Sequence, residues 1–393
     1  MTLETFPLWH AGQMKNTTTL KDVAREAGCG IATVSRVLNG KGPVSETARQ
    51  RVLDAAQVLG FEFNETARAL QSQRTRTIGC LVPSLVNPVF ADAVQGLQAE
   101  VLAAGYHLIL MCSDYDPEQE ASIIRMLIQK NVDALALTVS DAATSAGLMA
   151  LRGRSLPHCL MFNAPAQGAP SYFVDNAAAS ARVAQAFAAQ GHHRTGFLAL
   201  RFHRSDRSRQ RFEGYRAACH ARGMAEPLLL EVDQDQPGLG DQLSEMLAQR
   251  SGLSGIYASN DYLAIALIRA ARALGRKIPQ DLSVVGFDGI EIGQLMVPSL
   301  ATVVTDPRAM GRQTGQHLLA ALSDMKSPAS AGSVALRAEP TAGPSSFPSC
   351  LPSPDGLGFE FRPGESLGPV RSDMRSTSRA ATPLLPLHHS KTA

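Results

Sequence analysis

From Thr19 the apolar positions recur at Leu20, Val23, Ala24 and Ala27, the i, i+3, i+4, i+7 spacing of one buried helix face. Thr19 stands where an N-cap belongs, and Asp22 three residues on completes a capping-box pattern. Gly28-Cys29-Gly30 then breaks the period and permits a sharp turn, because glycine enters positive φ without steric cost. A second helix is predicted to bury Val34, Val37 and Leu38 and to present Thr33, Ser35, Arg36 and Asn39 outward. A third starts at a Ser45 cap, buries Ala48, Val52, Ala55, Ala56 and Leu59, and stops at Gly60. Three short helices patterned in this way pack as a small bundle.

Beyond Thr77 the period changes. Short apolar runs at 77–83, 106–111, 132–139, 158–162 and 171–174 are separated by helical stretches. A second series follows at 195–200, 228–232, 254–259, 282–287 and 300–305. Alternation of this kind predicts an α/β fold with parallel sheets covered on both faces. Two series predict two doubly wound subdomains, with a ligand cleft at the carboxyl ends of the strands. After Ser323 the periodicity is lost, and ten of the 23 prolines fall in residues 328–393. Residues 338–393 therefore read as a Pro/Ser/Gly-rich, mostly disordered tail.

Net charge is only +2, but its distribution is uneven. Residues 15–76 hold ten Lys/Arg against six Asp/Glu, leaving the remainder slightly acidic. A basic end suits a nucleic-acid module. No apolar run approaches the roughly eighteen residues of a membrane span, and the N-terminus makes a poor signal peptide. The six cysteines lack metal-ligand spacing and read as free thiols of a cytoplasmic protein. No P-loop, H-E-x-x-H or G-x-G-x-x-G motif is present, so neither an enzyme, a cofactor nor a metal is expected. His192-His193 reads as a structural turn rather than a metal pair.

Spacing alone fits any helical hairpin with a polar outer face. The wording T-L-K-D-V-A-R-E-A-G-C-G-I-A-T-V-S-R-V-L-N-G over 19–40 is narrower. It resembles the helix-turn-helix of the lactose-repressor (LacI/GalR) regulators, whose pattern runs D-V-A-x-x-A-G-V-S-x-x-T-V-S-R-V-L-N. Cys29 and Gly30 depart from it, and Gly30 supplies no cap oxygen. The resemblance implies an operator-binding repressor with Thr19, Ile31, Ala32, Thr33, Ser35, Arg36 and Asn39 at the DNA. Arg36 suits a bidentate guanine contact; Ile31 and Ala32 suit thymine methyls. It also implies a hinge helix at 64–70, with Leu70 wedged into the minor groove. The expected organisation is an extension over 1–14 with Met14 as the true start, a headpiece over 15–63, and a hinge and linker over 64–76. A periplasmic-binding-protein-like core over 77–337 follows, then the tail. Within the core, 77–174 and 306–337 form one subdomain and 175–305 the other. The loose echo F-R-P-G-E-S at 361–366 leaves the last strand of the first subdomain unassigned.

By the same resemblance, Asn87, Phe90, Asp114, Arg211, Asn260 and Asp288 contact a small effector. An Arg fork, an amide and a carboxylate together suit a polyol, so a sugar or sugar acid is expected ahead of a nucleobase. The arginine-rich run over 201–211 reads first as a solvated surface, with an anionic effector as the alternative. A helix-turn-helix reads one half-site, so a homodimer is expected, with a tetramer left open. A sugar-binding protein without DNA function and an enzyme on a doubly wound fold remain the rival readings.

Overall fold

The computed structural model describes residues 18–39, 42–61, 74–232, 239–249, 252–325 and 356–371. The expected extension over 1–14, most of the 64–76 hinge with Leu70, and the tail beyond 371 lie outside the described residues. The chain divides into two compact units, residues 1–75 and 76–393.

The first unit holds three helices: α1 (Leu20–Glu26), α2 (Ile31–Asn39) and α3 (Glu46–Val58). Val23, Ala24, Ala27, Val34, Val52 and Ala55 form its buried core, with Leu20, Val37, Leu38 and Leu59 packed at the edge. The Asp22 carboxylate accepts from the Thr19 N–H at 3.0 Å and from the Thr19 hydroxyl at 2.6 Å, which locks the start of α1. Those bonds hold the Asp22 carboxyl below its ordinary range. Gly28 adopts φ +59°, the left-handed turn that separates α1 from α2.

The second unit contains two sheets. The first has strand order β2-β1-β3-β4-β5, all parallel: β1 (Thr77–Val82), β2 (His107–Cys112), β3 (Ala134–Leu137), β4 (His158–Met161) and β5 (Ser171–Tyr172). Helices α4 (Pro88–Ala103), α5 (Pro117–Gln129) and α6 (Ala146–Met149) connect these strands. The second sheet has order β11-β10-β9-β8-β6-β7. Its parallel strands are β6 (Thr195–Leu200), β7 (Leu228–Val232), β8 (Gly255–Ala258), β9 (Ser283–Asp288) and β10 (Ala301–Val304). Their helices are α7 (Asn176–Ala189), α8 (Asp206–His220), α9 (Leu239–Gln249), α10 (Asp261–Ala273) and α11 (Glu291–Leu295). Val284, Val285 and Phe287 of β9 are all buried, as expected where helices cover both faces. After β10 the chain returns to the first sheet through α12 (Pro307–Asp324). Helix α12 lies tightly against α4: a Cβ on Gly311 would sit 1.8 Å from the Ala93 carbonyl oxygen, so only glycine admits this approach.

Within the stretch read as mostly disordered from 338, residues 356–371 are described and lie against the second sheet. Residues 360–362 form β11, an antiparallel edge strand on β10. The missing strand thus closes the second sheet, not the first. Leu357 bridges to Val174, and its N–H donates to the Phe173 carbonyl at 2.6 Å. Ser366 is fully buried; its hydroxyl donates to the Val284 carbonyl at 2.6 Å and accepts from the Ala301 N–H at 2.9 Å. Farther on, the Val370 N–H donates to Gln190 O, and Arg371 pairs with Asp281 at 2.7 Å. Leu357, Phe359 and Phe361 alternate along the segment and, with Leu367, pack against the core beside these bonds.

His192 also belongs to this contact. It is buried, with Nδ1 against Ser254 Oγ at 2.9 Å and Nε2 against the Gly368 carbonyl at 2.9 Å. Its place is structural. The five described cysteines are free thiols, and no cluster of three His/Cys/Asp/Glu suited to a metal occurs among the described residues. No helix among them is long and apolar enough to cross a membrane.

Candidate functional site

In the first unit, α2 buries Val34 and turns Ile31, Ala32 and Arg36 to solvent. Ile31 is 48% exposed at the very start of the helix, an apolar side chain with no core to join. Thr33 and Ser35 are half-buried on the same helix. Thr19 is exposed, but its hydroxyl is engaged with Asp22. Gly30 precedes α2, and its carbonyl accepts from Thr33 N and Val34 N. Ile31 and Ala32 thus stand exposed in the first turn of α2 and Arg36 in its last, residue types able to contact thymine methyls, base edges or phosphates.

In the second unit, the carboxyl ends of both sets of strands converge on one cleft. Its lining is Asn87, Val89, Phe90, Tyr115, Phe162, Leu200, Arg201, Ser205, Arg207, Ser208, Arg211, Ser259, Asn260 and Asp288, around some 530 Å³ of space that includes its open mouth. Five non-glycine residues at these strand ends take positive φ: Asp114 (53°), Tyr115 (59°), Phe162 (68°), Arg201 (44°) and Asp288 (111°). Such conformations cost energy and cluster where side chains must be aimed.

Five of the six expected effector residues are brought together. Asn87 caps α4 and donates through Nδ2 to Asp288 Oδ2 at 3.0 Å, across the cleft. Phe90 meets Phe162 edge-on, with ring centroids 5.0 Å apart. Asn260 caps α10 by accepting from Leu263 N at 2.8 Å. Arg211 lies flat on the Phe287 ring at 3.5 Å, and its Nε donates to Asn176 Oδ1 at 2.8 Å. Its Nη1 donates to the Ser259 carbonyl. Burial pushes the Asp288 carboxyl up, against the opposing pull of Arg211 and the Asn87 bond. Burial lowers Arg211, against the pull of Asp288. The two form a desolvated, mutually attracting pair within the lining.

Asp114 is the exception. It stands outside the lining, with an exposed side chain that receives Arg201 Nη1 at 3.2 Å. The strand end turns it outward and brings Tyr115 in instead, through two consecutive left-handed residues.

The arginine-rich run is likewise corrected. Arg201 and Arg207 are buried, not a solvated surface, and both line the cleft with Arg211. Arg201 also donates to the Asp114 carbonyl at 2.7 Å and covers the Tyr115 ring. The run begins where β6 ends and continues into α8, so the strand end folds it inward. Tyr115, Phe162, Ser205 and Ser208 carried no motif; a strand-end position was the sole signal available for Tyr115 and Phe162.

Beneath Asp288 lies Asp261. It is fully buried and accepts from Gly289 N (2.8 Å), Ile290 N (2.9 Å) and the Thr302 hydroxyl (2.6 Å). These bonds hold the turn that presents Asp288. Burial and the neighbouring Asp288 charge push Asp261 up to about 8, against the three donated hydrogen bonds.

Comparison with known proteins agrees with both halves. Residues 19–64 match the bacterial regulatory proteins of the lacI family, and residues 184–345 match the periplasmic binding protein-like domain. The HTH-type transcriptional repressor PurR of Photobacterium profundum is 30% identical over 309 residues, covering 78% of this chain and 92% of that protein. The ribose operon repressor of Escherichia coli is 31% identical over 288 residues, covering 72% and 87%. The crystal structure of the lac repressor dimer bound to operator and the anti-inducer ONPF superposes with a TM-score of 0.70 at 23% identity, over 79% of this chain and 94% of that one, a likeness of fold. With the reading helix and the strand-end cleft in place, the chain belongs to the lacI family of bacterial regulatory proteins, DNA-binding transcriptional regulators under the control of small-molecule effectors.

Proposed function

We propose that this chain is a cytoplasmic repressor that binds a two-fold operator as a homodimer and responds to a small polyhydroxylated effector in the cleft. The cleft carries this reading: guanidiniums, two amides and a carboxylate from both subdomains line one space at the strand ends. A similar protein named for a ribose operon supports a sugar-like effector. In this reading Ile31, Ala32 and Arg36 read bases, while Thr33, Ser35 and Asn39 hold the phosphates. Dimerisation follows from the half-site logic, since two copies reading one turn apart place their helices about 34 Å from each other. Exposed apolar side chains at Ile292, Leu295 and Val297, the last two 75% and 79% exposed, support a self-association surface beside α11. No catalytic step is assigned.

The test begins with selection of an operator from random DNA by the full chain, followed by gel shifts with a panel of sugars and sugar acids. Arg211→Ala and Asp288→Ala are each expected to abolish the effect of the ligand on operator retention. A variant that still responds at the wild-type ligand concentration removes the cleft as the control site.

A further inference from the structure

Two cleft groups have no partner. Arg207 is 5% exposed, and its Nη2 is buried without a hydrogen-bond partner. Ser208, also 5% exposed, has a buried hydroxyl in the same condition. Both residues line the cleft. A buried guanidinium nitrogen left unpaired is costly, far more so than a neutral donor.

The rest of Arg207 is fixed. Nη1 donates to the Val139 carbonyl at 2.8 Å and reaches Asp206 Oδ1 at 3.3 Å. The Asp206 carboxylate is largely spent elsewhere. It accepts from Asn163 Nδ2 at 2.9 and 3.1 Å and from Ala142 N at 3.3 Å. Arg207 is thus held in one orientation by the loop after β3, with the Nη2 edge of its fork left unpaired.

The charges of the lining point the same way. Three guanidiniums, of Arg201, Arg207 and Arg211, stand against one carboxylate, that of Asp288. Arg201 is answered by Asp114 from outside the lining, and Arg211 by Asp288 within it. Arg207 is answered through Nη1 by Asp206, also from outside the lining, and only its Nη2 edge stays unsatisfied. A neutral hydroxyl could accept from these donors too, but an acidic oxygen accepts with charge assistance and so gains more from them.

We infer that the effector is a small polyhydroxylated acid whose carboxylate or phosphate is bound by Arg207 Nη2 and Ser208 Oγ, at the end of the cleft next to the loop after β3. The inference rests on the cleft being the effector site. The aromatic wall of Phe90 and Phe162 and the polar groups of Asn87, Asn260 and Asp288 then take the uncharged body of the ligand.

The experiment uses the full-length protein. Calorimetric titrations compare gluconate, glucuronate and glucose 6-phosphate with glucose as the neutral counterpart, and inorganic phosphate serves as a bare-head probe. At least one acid is expected to bind ten- to a hundredfold more tightly than glucose, the advantage of a charge-assisted bond in a buried site. The carboxylate and phosphate arms tell which head group fits. R207Q and S208A should each narrow the preference for acid over neutral ligand, and R207K should recover part of it. Circular dichroism melting establishes that each variant is folded, and the wild-type comparison stands without any variant. Binding of glucose as tight as that of its acids, or binding of none of the acids or phosphate, overturns the inference. Acid binding that leaves operator retention unchanged would uphold the anion site and refute effector control by the cleft. Release by a neutral ligand alone would do the reverse.

Discussion

Ser366→Ala tests the docking of the C-terminal segment. The substitution removes one oxygen and keeps the Cβ, so packing barely changes. Two buried backbone groups lose a partner: the Ala301 N–H, bonded at 2.9 Å, and the Val284 carbonyl, bonded at 2.6 Å. The amide has a single proton and counts in full, at about 1–3 kcal/mol for a buried group left unsatisfied. The carbonyl has a second lone pair and counts less. The expected loss is therefore about 2–3 kcal/mol. For a unit of this size that corresponds to a fall in melting temperature of roughly 3–5 °C. Differential scanning calorimetry on the full chain is the assay. Glu365→Ala is the control, because Glu365 is exposed and offers the Ser299 N–H a bond that water can replace. Its effect should stay within about 1 kcal/mol. If Ser366→Ala melts within a degree of wild type while the control behaves as expected, residues 356–371 do not dock on the second sheet in solution.

Three other outcomes follow from the same structure. Gly30→Ser adds a Cβ that meets no atom within 4 Å and supplies the missing cap oxygen, so the bundle should gain a few tenths of a kcal/mol and gel shifts should show tighter operator binding; weaker binding would mean that the DNA backbone approaches Gly30 too closely for a side chain. Arg36→Ala should weaken operator binding by about 1–3 kcal/mol and relax preference at one base pair per half-site, whereas equal losses on operator and random DNA would place Arg36 on phosphate alone. For Asp261 the folded value, about 8, lies above that of the unfolded chain, so the unfolded state binds fewer protons and stability falls as pH rises from about 4 to 8. Urea melts across that range should show a shallower fall for Asp261→Asn, and parallel slopes for the two proteins would refute the assignment.

Periodicity alone was enough for the three-helix bundle and for the alternation of strands and helices, because both patterns repeat within a few residues. The wording of residues 19–40 carried the identity of the reading helix for the same reason: its chemistry lies on one continuous segment. Tertiary structure decided everything that depended on where a strand end points. Asp114 turned outward and Tyr115 inward because two successive residues adopt left-handed backbone, a choice that no periodicity encodes. Arg201 and Arg207 look like surface residues in a polar run, yet the end of β6 and the first turn of α8 draw them into a space closed by the other sheet. The fate of the C-terminal stretch was undecidable from composition, since its segment 356–371 is a short island held by a three-residue strand, a few apolar contacts and long-range polar bonds within a Pro/Ser/Gly-rich stretch. Those bonds join residues sixty and more positions apart, as between Ser366 and Ala301 or between His192 and Gly368. A sequence shows which groups need partners; only the folded chain shows which distant groups meet that need and which, like Arg207 Nη2, are left for a ligand.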